Sequence, residues 1–218
     1  LASTKGLAAH HVLGAMRSSR AALVEHLAGT LAAASRFGLS ESFKAKPTGN
    51  VIDRLTRRAD EGPPEIGLEC EIPSWLIDVQ QWREHCLAER DTYAAMLDAA
   101  GQLSPAREQR KAKLLVDLAT THPRVLAFDH HLITLTALAP MIDDAGCRVV
   151  VATGANKTNR ETVERLFARD SQECAIALCS DAMNEGLNLQ GASAIVHLDL
   201  PTTLRVAEQR VGRVDRMD

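Results

Sequence analysis

Residues 175–216 read AIALC-SDAMNEGLNLQGAS-AIVHL-DLPTT-LRVAEQRVGRVDR: two apolar runs of strand length, a polar glycine-bearing loop between them, and a charged helical segment after the second. Neither run alternates apolar with polar residues, which is the pattern of strands covered on both faces. The rhythm continues upstream. A helix is predicted from Ser104-Pro105 to about Thr121, with Leu114, Leu115 and Leu118 facing inward. It is followed by a strand, RVLAF (124–128), a helix over 130–144, a strand, RVVVA (148–152), and a helix over 158–169. The last helix is predicted over 202–216. Apolar strands joined by helices of ten or more residues require crossover connections, so the fold class is α/β, a parallel sheet flanked by helices.

Before residue 104 the spacing is helical. Residues 7–17 are rich in Ala and Leu, and Ser18-Ser19 offers an N-cap for a second run ending near Arg36. Residues 37–74 carry four prolines and four glycines and read as a loop-rich connector with at most one short helix near 50–60. Residues 75–100 return to helical spacing, with Leu76, Val79, Trp82, Cys86 and Leu87 on one side. The expected division is a helical region over 1–103 and a sheet lobe over 104–218.

Composition narrows the function. Among 218 residues, 45% are hydrophobic and only 3% aromatic, so the core is aliphatic. Net charge is −3, with 15 basic and 15 acidic residues up to Thr121 and 10 against 13 after it, so bulk charge does not draw this chain to nucleic acid. Any such contact must come from locally placed amides and side chains. The five cysteines (Cys70, Cys86, Cys147, Cys174, Cys179) form no C-x-x-C pair and read as reduced core thiols of a cytoplasmic protein. The adjacent pairs His10-His11 and His130-His131 point their rings apart on a helix and are poor metal ligands, so no metal site is expected. His197 reads as a hydrogen-bonded core residue, and Trp75 and Trp82 as packing. No apolar stretch is long enough to span a bilayer.

Ligands of parallel α/β sheets sit beyond the carboxyl ends of the strands. Three such places hold unusual residues. Ser180 to Gly191 combines a hydroxyl, carboxylates, amides and two glycines, the ingredients of an anion nest and equally of an ordinary turn. In the last segment, Gln209, Arg213 and Arg216 share one helix face, and two guanidiniums so spaced can hold a phosphoryl group or line a solvated face. Gly212, within the predicted helix, weakens it by about 1 kcal/mol relative to Ala and needs a packing or close-approach reason. Thr153-Gly154, followed by Arg160 and Phe167, is the third and weakest.

In order, these elements resemble a known family. CSDAMNEGLNLQGASAIVHLDLPTTLRVAEQRVGRVDR is similar to motifs five and six of helicase superfamily two with the strand between them, RVLAF-Asp129 resembles motif four, and TG…R…F the segment after it. EGLNLQ, LDLP and EQRVGRVDR look most like Swi/Snf-type translocases and their bacterial transcription-recycling relatives. The likeness covers about 113–216; MRSSRAALVEHL (16–27) resembles, less specifically, a helical segment that those relatives place between two lobes. One departure is Pro201-Thr202-Thr203-Leu204, where remodellers commonly carry an aromatic-Asn-Pro sequence.

The resemblance implies a second RecA-like lobe of an ATP-driven translocase. It implies arginine fingers at Arg213 and Arg216, with Gln209 placing the nucleotide or attacking water. It implies a nucleotide-side turn at Glu185, Gly186 and Asn188. Strand-phosphate contacts fall to Ser180 with Asp181, and to Thr153 and Gly154. ATP and Mg²⁺ are the expected cofactors of the whole enzyme and duplex DNA the expected track, in the bacterial cytosol or nucleoid, with no membrane partner. No G-x-x-x-x-G-K-[ST] or acidic metal loop occurs here, so those parts are expected on a first lobe, with the chain a fragment cut at both ends and inactive alone. The alternative is an inert lobe serving as a binding scaffold.

Overall fold

The computed structural model describes residues 2–39, 48–65, 67, 72–154, 156–184, 189–201, 203–212 and 214. In chain order its helical region holds α1 (Ala2–Ser18), α2 (Arg20–Ala28), α3 (Thr30–Phe37), α4 (Val51–Glu61), a 3₁₀ turn (Ser74–Leu76) and α5 (Val79–Ala100). The sheet lobe follows as α6 (Ala106–Ala119), β1 (Arg124–Phe128), α7 (Leu132–Asp143), β2 (Val149–Ala152), α8 (Lys157–Leu166) and β3 (Ala175–Cys179). A second 3₁₀ turn (Asp181–Asn184), β4 (Ala194–His197) and α9 (Leu204–Val211) complete it.

The four strands form one parallel sheet in the order β2-β3-β1-β4. Its central strands divide their side chains by strict alternation. Leu126, Phe128, Ala177 and Cys179 enter the core under α8 with Val163, Leu166 and Phe167. Val125, Ala127, Ile176 and Leu178 enter the core under α6 and α7 with Leu115, Leu135, Leu138 and Ile142. Each buried Leu or Ile contributes about 1.5–3 kcal/mol relative to exposure, which makes a one-residue register slip prohibitive. The predicted α/β class is the fold observed.

Two expected inward positions differ. Leu114 is 48% exposed and Val79 65% exposed, because α6 and α5 each cover only one side, and those residues fall just outside the buried arc. The long run ending near Arg36 is two helices, not one. Gly29, at φ +92°, breaks it, and the chain turns so that Glu25 takes both the Asn50 backbone N–H on its carbonyl and the Thr30 hydroxyl on its carboxylate. Gly49 packs against that turn at φ +82°; a Cβ there would stand 1.8 Å from the Glu25 carbonyl oxygen. Only glycine meets both demands.

The helical region is not a separate bead. Alanines 15, 21, 22 and 33 let α1, α2 and α3 approach closely, and Ile133 of α7 is buried in the same core. Trp82 packs with Cys86 and Ala59, donates its indole N–H to the Arg58 carbonyl at 2.8 Å, and stacks on Trp75, so both tryptophans are packing residues, as expected. No described helix is long and apolar enough to cross a membrane.

Candidate nucleotide and nucleic-acid edge

All four strands point their carboxyl ends to one edge, where the chain leaves them as Asp129-His130-His131, Thr153-Gly154, Ser180-Asp181 and Leu198-Asp199. Two aspartate-centred assemblies stand there. The first holds α9. Arg210 is 0% exposed, and its guanidinium donates through Nη2 and Nε to Asp181 Oδ1 at 2.7 and 3.1 Å. Its Nη1 reaches Asp199 Oδ1 at 3.1 Å and His197 Nδ1 at 3.2 Å. The guanidinium carbon lies 5.5 Å from the centre of the Phe128 ring. Arginine is the cation suited to this position, since a planar fork can serve two carboxylates and an aromatic face together. Because Arg210 only donates, His197 Nδ1 must accept, which leaves its proton on Nε2; partial desolvation of the ring and the Arg210 charge also push this imidazole below the ordinary histidine range. Burial raises the Asp181 carboxyl, but bonds from His130 and Arg210 outweigh it and hold the pKa at about 2.

The second assembly ties the helical region to β1. Asp129 is 0% exposed, and its Oδ1 accepts the Ser18 hydroxyl at 2.7 Å and the His131 backbone N–H at 2.8 Å. Ser18 Oγ lies 2.6 Å from Thr134 Oγ1, which lies 2.7 Å from Ser19 Oγ. A carboxylate can only accept, so the hydroxyl protons run one way, from Ser19 to Thr134 to Ser18 to Asp129. Ser19 is then the acceptor for the Ala22 N–H at 2.9 Å, the N-cap read from the sequence. Lys111 Nζ donates to the Ser18 carbonyl at 2.7 Å and stands 3.5 Å from Asp129 Oδ2. Burial raises the Asp129 carboxyl, yet the His131 contacts, the Lys111 charge and the Ser18 hydroxyl keep it below the ordinary range. His131 Nδ1 is 3.6 Å from Oδ1, outside hydrogen-bond reach, so the backbone N–H is the bond that counts.

A third feature lies at the β2–β3 side of the same edge. Thr153 and Ser180 follow β2 and β3, which are neighbours; both residues are buried, and Thr153 Oγ1 and Ser180 Oγ have no partner among the described residues. Gly154 and Ala182 form the exposed rim above them, and a Cβ on Gly154 would meet the Ala182 methyl at 2.8 Å. A buried hydroxyl without a partner costs about 1–3 kcal/mol, so such a pair in adjacent strand ends calls for a reason.

Matching to family models identifies the lobe. The model of the helicase conserved C-terminal domain matches residues 110–218, half of the chain. The chain belongs to that family. It is a superfamily-two helicase C-terminal lobe related to Swi/Snf-type proteins, as the motifs read. The RNA polymerase-associated protein RapA of Pseudomonas syringae pv. tomato is 28% identical over 95% of this chain and 22% of its own length. RapA of Photobacterium profundum is 34% identical over 78% of this chain and 19% of its own length. The chain thus spans about a fifth of the length of these relatives. Among solved structures, the C-terminal part of the Fun30 ATPase domain aligns with a TM-score of 0.44 at 18% identity, over 64% of this chain and 46% of that one.

Within this helicase lobe, the expected site residues fall into two groups. Thr153, Gly154, Ser180 and Asp181 are brought together at the carboxyl edge, and Gln209 lies half-buried on α9. Glu185, Gly186, Asn188, Arg213 and Arg216 lie outside the described residues. The Asp181 carboxylate is engaged by Arg210 and His130. Gly191 answers a protein neighbour, not a phosphate: a Cβ there would stand 2.2 Å from the Ala168 carbonyl oxygen. α9 runs to Val211 with Gly212 as its C-cap, not an interior residue, and residues 213, 215 and 216 of the predicted span lie outside the described residues. His197 is exposed at the end of β4, though hydrogen-bonded as expected.

Sequence alone did not single out Arg210 or Asp199, and it pointed to His130 only as a poor metal ligand. A signal for Arg210 existed. Val206, Ala207, Arg210 and Val214 recur at helical spacing on the inward face, so a lone arginine there is a buried one. Cys179 is sealed under this edge, and burial pushes its thiol up to about 12, which removes it as a nucleophile.

Proposed function

We propose that this lobe is the second motor half of an ATP-dependent nucleic-acid translocase acting on duplex DNA, in the cytoplasm. The observation that carries the nucleic-acid part is the pair of unpartnered hydroxyls, Thr153 Oγ1 and Ser180 Oγ, under the Gly154–Ala182 rim. A strand phosphate resting on that rim gives them the acceptor they lack, reads no base, and leaves sequence preference weak. The net charge of −3 agrees with a grip made by a few local contacts.

In this reading α9, held by Arg210, presents the segment that continues into Arg213 and Arg216. These two arginines stabilise charge on the transferring phosphoryl group, and Gln209 places the nucleotide or the attacking water. Glu185, Gly186 and Asn188 form the nucleotide-side turn. The phosphate-cradling loop and Mg²⁺ ligands belong to a first lobe, so the chain by itself turns over no ATP. The association of its RapA relatives with RNA polymerase makes a transcription-linked task a natural one to test.

The test is DNA-stimulated ATP hydrolysis by the protein joined to its first lobe. Arg213→Ala and Arg216→Ala should each lower turnover by about a thousandfold or more. Thr153→Val with Ser180→Ala should weaken DNA binding while leaving thermal stability unchanged or slightly raised, because apolar groups replace unsatisfied ones. Turnover indifferent to both arginines sinks the finger assignment. A wild type without turnover that still binds DNA or a protein leaves the scaffold alternative.

A further inference from the structure

The clamp on Arg210 is closed by a residue from a third element. His130 follows β1, and its backbone N–H donates to Asp199 Oδ2 at 3.0 Å while its Nδ1 lies 3.1 Å from Asp181 Oδ2. Each carboxylate therefore gives one oxygen to Arg210 and the other to His130, and the four residues form a ring. Arg210 is sealed, whereas the His130 side chain is 64% exposed, so the ring has a dry side and a wet side.

Charge decides how tightly the ring closes. Two carboxylates against one guanidinium leave a net charge of −1; a charged imidazole at His130 brings it to zero. Other charged or titratable groups bear on it. Asp129 lies on the same turn, His131 stands edge-on with its ring centre 5.4 Å away, His197 is neutral against Arg210, and the Lys111 ammonium faces Asp129. Asp181, Asp199 and Asp129 favour the charged imidazole, and His130 is held above the ordinary histidine range, first by its bond to Asp181.

We propose that His130 is a positioning residue that closes the Asp181–Arg210–Asp199 clamp and seats α9 more firmly when its imidazole carries a proton. The clamp stands on the geometry of this chain; its consequence for hydrolysis rests on the reading of α9 given above. A group whose folded pKa is raised contributes stability that is complete below its unfolded value, near 6.5, and that fades as pH rises through the folded value. The hold on α9 should therefore be firmest in mild acid and loosen above neutrality. With a cluster at the carboxyl edge this arrangement ties the arginine helix to β1, to which α9 has no direct hydrogen bond among the described residues.

The test uses the isotope-labelled 218-residue chain and needs no nucleotide. Imidazole resonances followed against pH should place the His130 midpoint above the ordinary value and that of His197 below it, and Asp199→Asn should lower the His130 midpoint. Amide exchange in α9, corrected for intrinsic rate, should lose protection several-fold across the His130 titration, while β1 and α7 keep theirs. His130→Asn should give weak α9 protection at every pH, and His130→Arg should restore protection without the pH dependence. A His130 midpoint at or below 6.5, or α9 protection that ignores both pH and His130→Asn, overturns the proposal. If a variant fails to fold, the wild-type titration and exchange profiles still decide it. Failure of the ATPase test with this pH profile intact would discard the motor reading and keep the clamp.

Discussion

The Asp129 assembly and the Asp181–Asp199 clamp stand at the same edge of one sheet and do opposite jobs. Asp129 is fully buried and bonded to a one-way chain of hydroxyls, with a lysine behind it. Asp181 and Asp199 are partly exposed, bonded to an arginine and a titratable imidazole. Hydroxyl chains in a dry site are short, directed and cooperative, so removing one member weakens the bonds that remain. Ionic clamps with a wet side can loosen and re-form. The first bolts the helical region to β1; the second holds α9 adjustably.

If that contrast is right, Asp129→Ala is the most damaging single change, costing about 3–5 kcal/mol because Lys111 is left half-buried without its counter-charge and Ser18 without its acceptor. Urea unfolding measures it, and a loss below 1 kcal/mol would show that the bolt is ornamental by the scale of buried-pair losses. Arg210→Ala should cost less, about 1.5–3 kcal/mol, since the carboxylates it abandons can turn to water and to His130. Its damage should be local to α9 in amide exchange. Equal, global losses for both variants would erase the distinction.

Smaller effects sharpen it. Ser18→Ala interrupts the hydroxyl chain at its middle and should destabilise by about 1–3 kcal/mol, against about 1 kcal/mol for an N-cap change such as Ser19→Ala in a less central setting. The reverse order would mean that capping of α2 outweighs the link to Asp129. A last effect is in acid. Asp181, with a folded pKa of about 2 against an ordinary 3.8, stabilises the chain fully above the ordinary value and loses that contribution as pH falls towards 2. Asp181→Asn should remove that part of the acid decline in thermal melts, leaving the part due to Asp129.

The alternation of strand and helix, the capped start of α2 and the family motifs were legible because each depends on near neighbours in sequence. Ser19 caps three residues away, and β1 and β3 are simply too apolar to be anything but interior. The buried role of Arg210 was half legible: its place on the inward face of α9 was there to see, but the charge drew attention to Arg213 and Arg216 instead. Nothing local announces that Ser18 would meet Asp129, 111 residues away, or that His130 would reach Asp181 and Asp199. The division at residue 103 was drawn where composition changes, yet Ile133 of α7 shares a core with α2 and α3.

What the sequence by itself determined is therefore the fold class, the family and the edge at which to look, since hydrophobic period and motif order are properties of the chain read locally. Only the tertiary structure decided which polar groups face each other at that edge. Parallel crossovers set the ends of four strands, distant in sequence, side by side along one edge, and a carboxylate's partners there are set by that convergence, not by its neighbours in sequence.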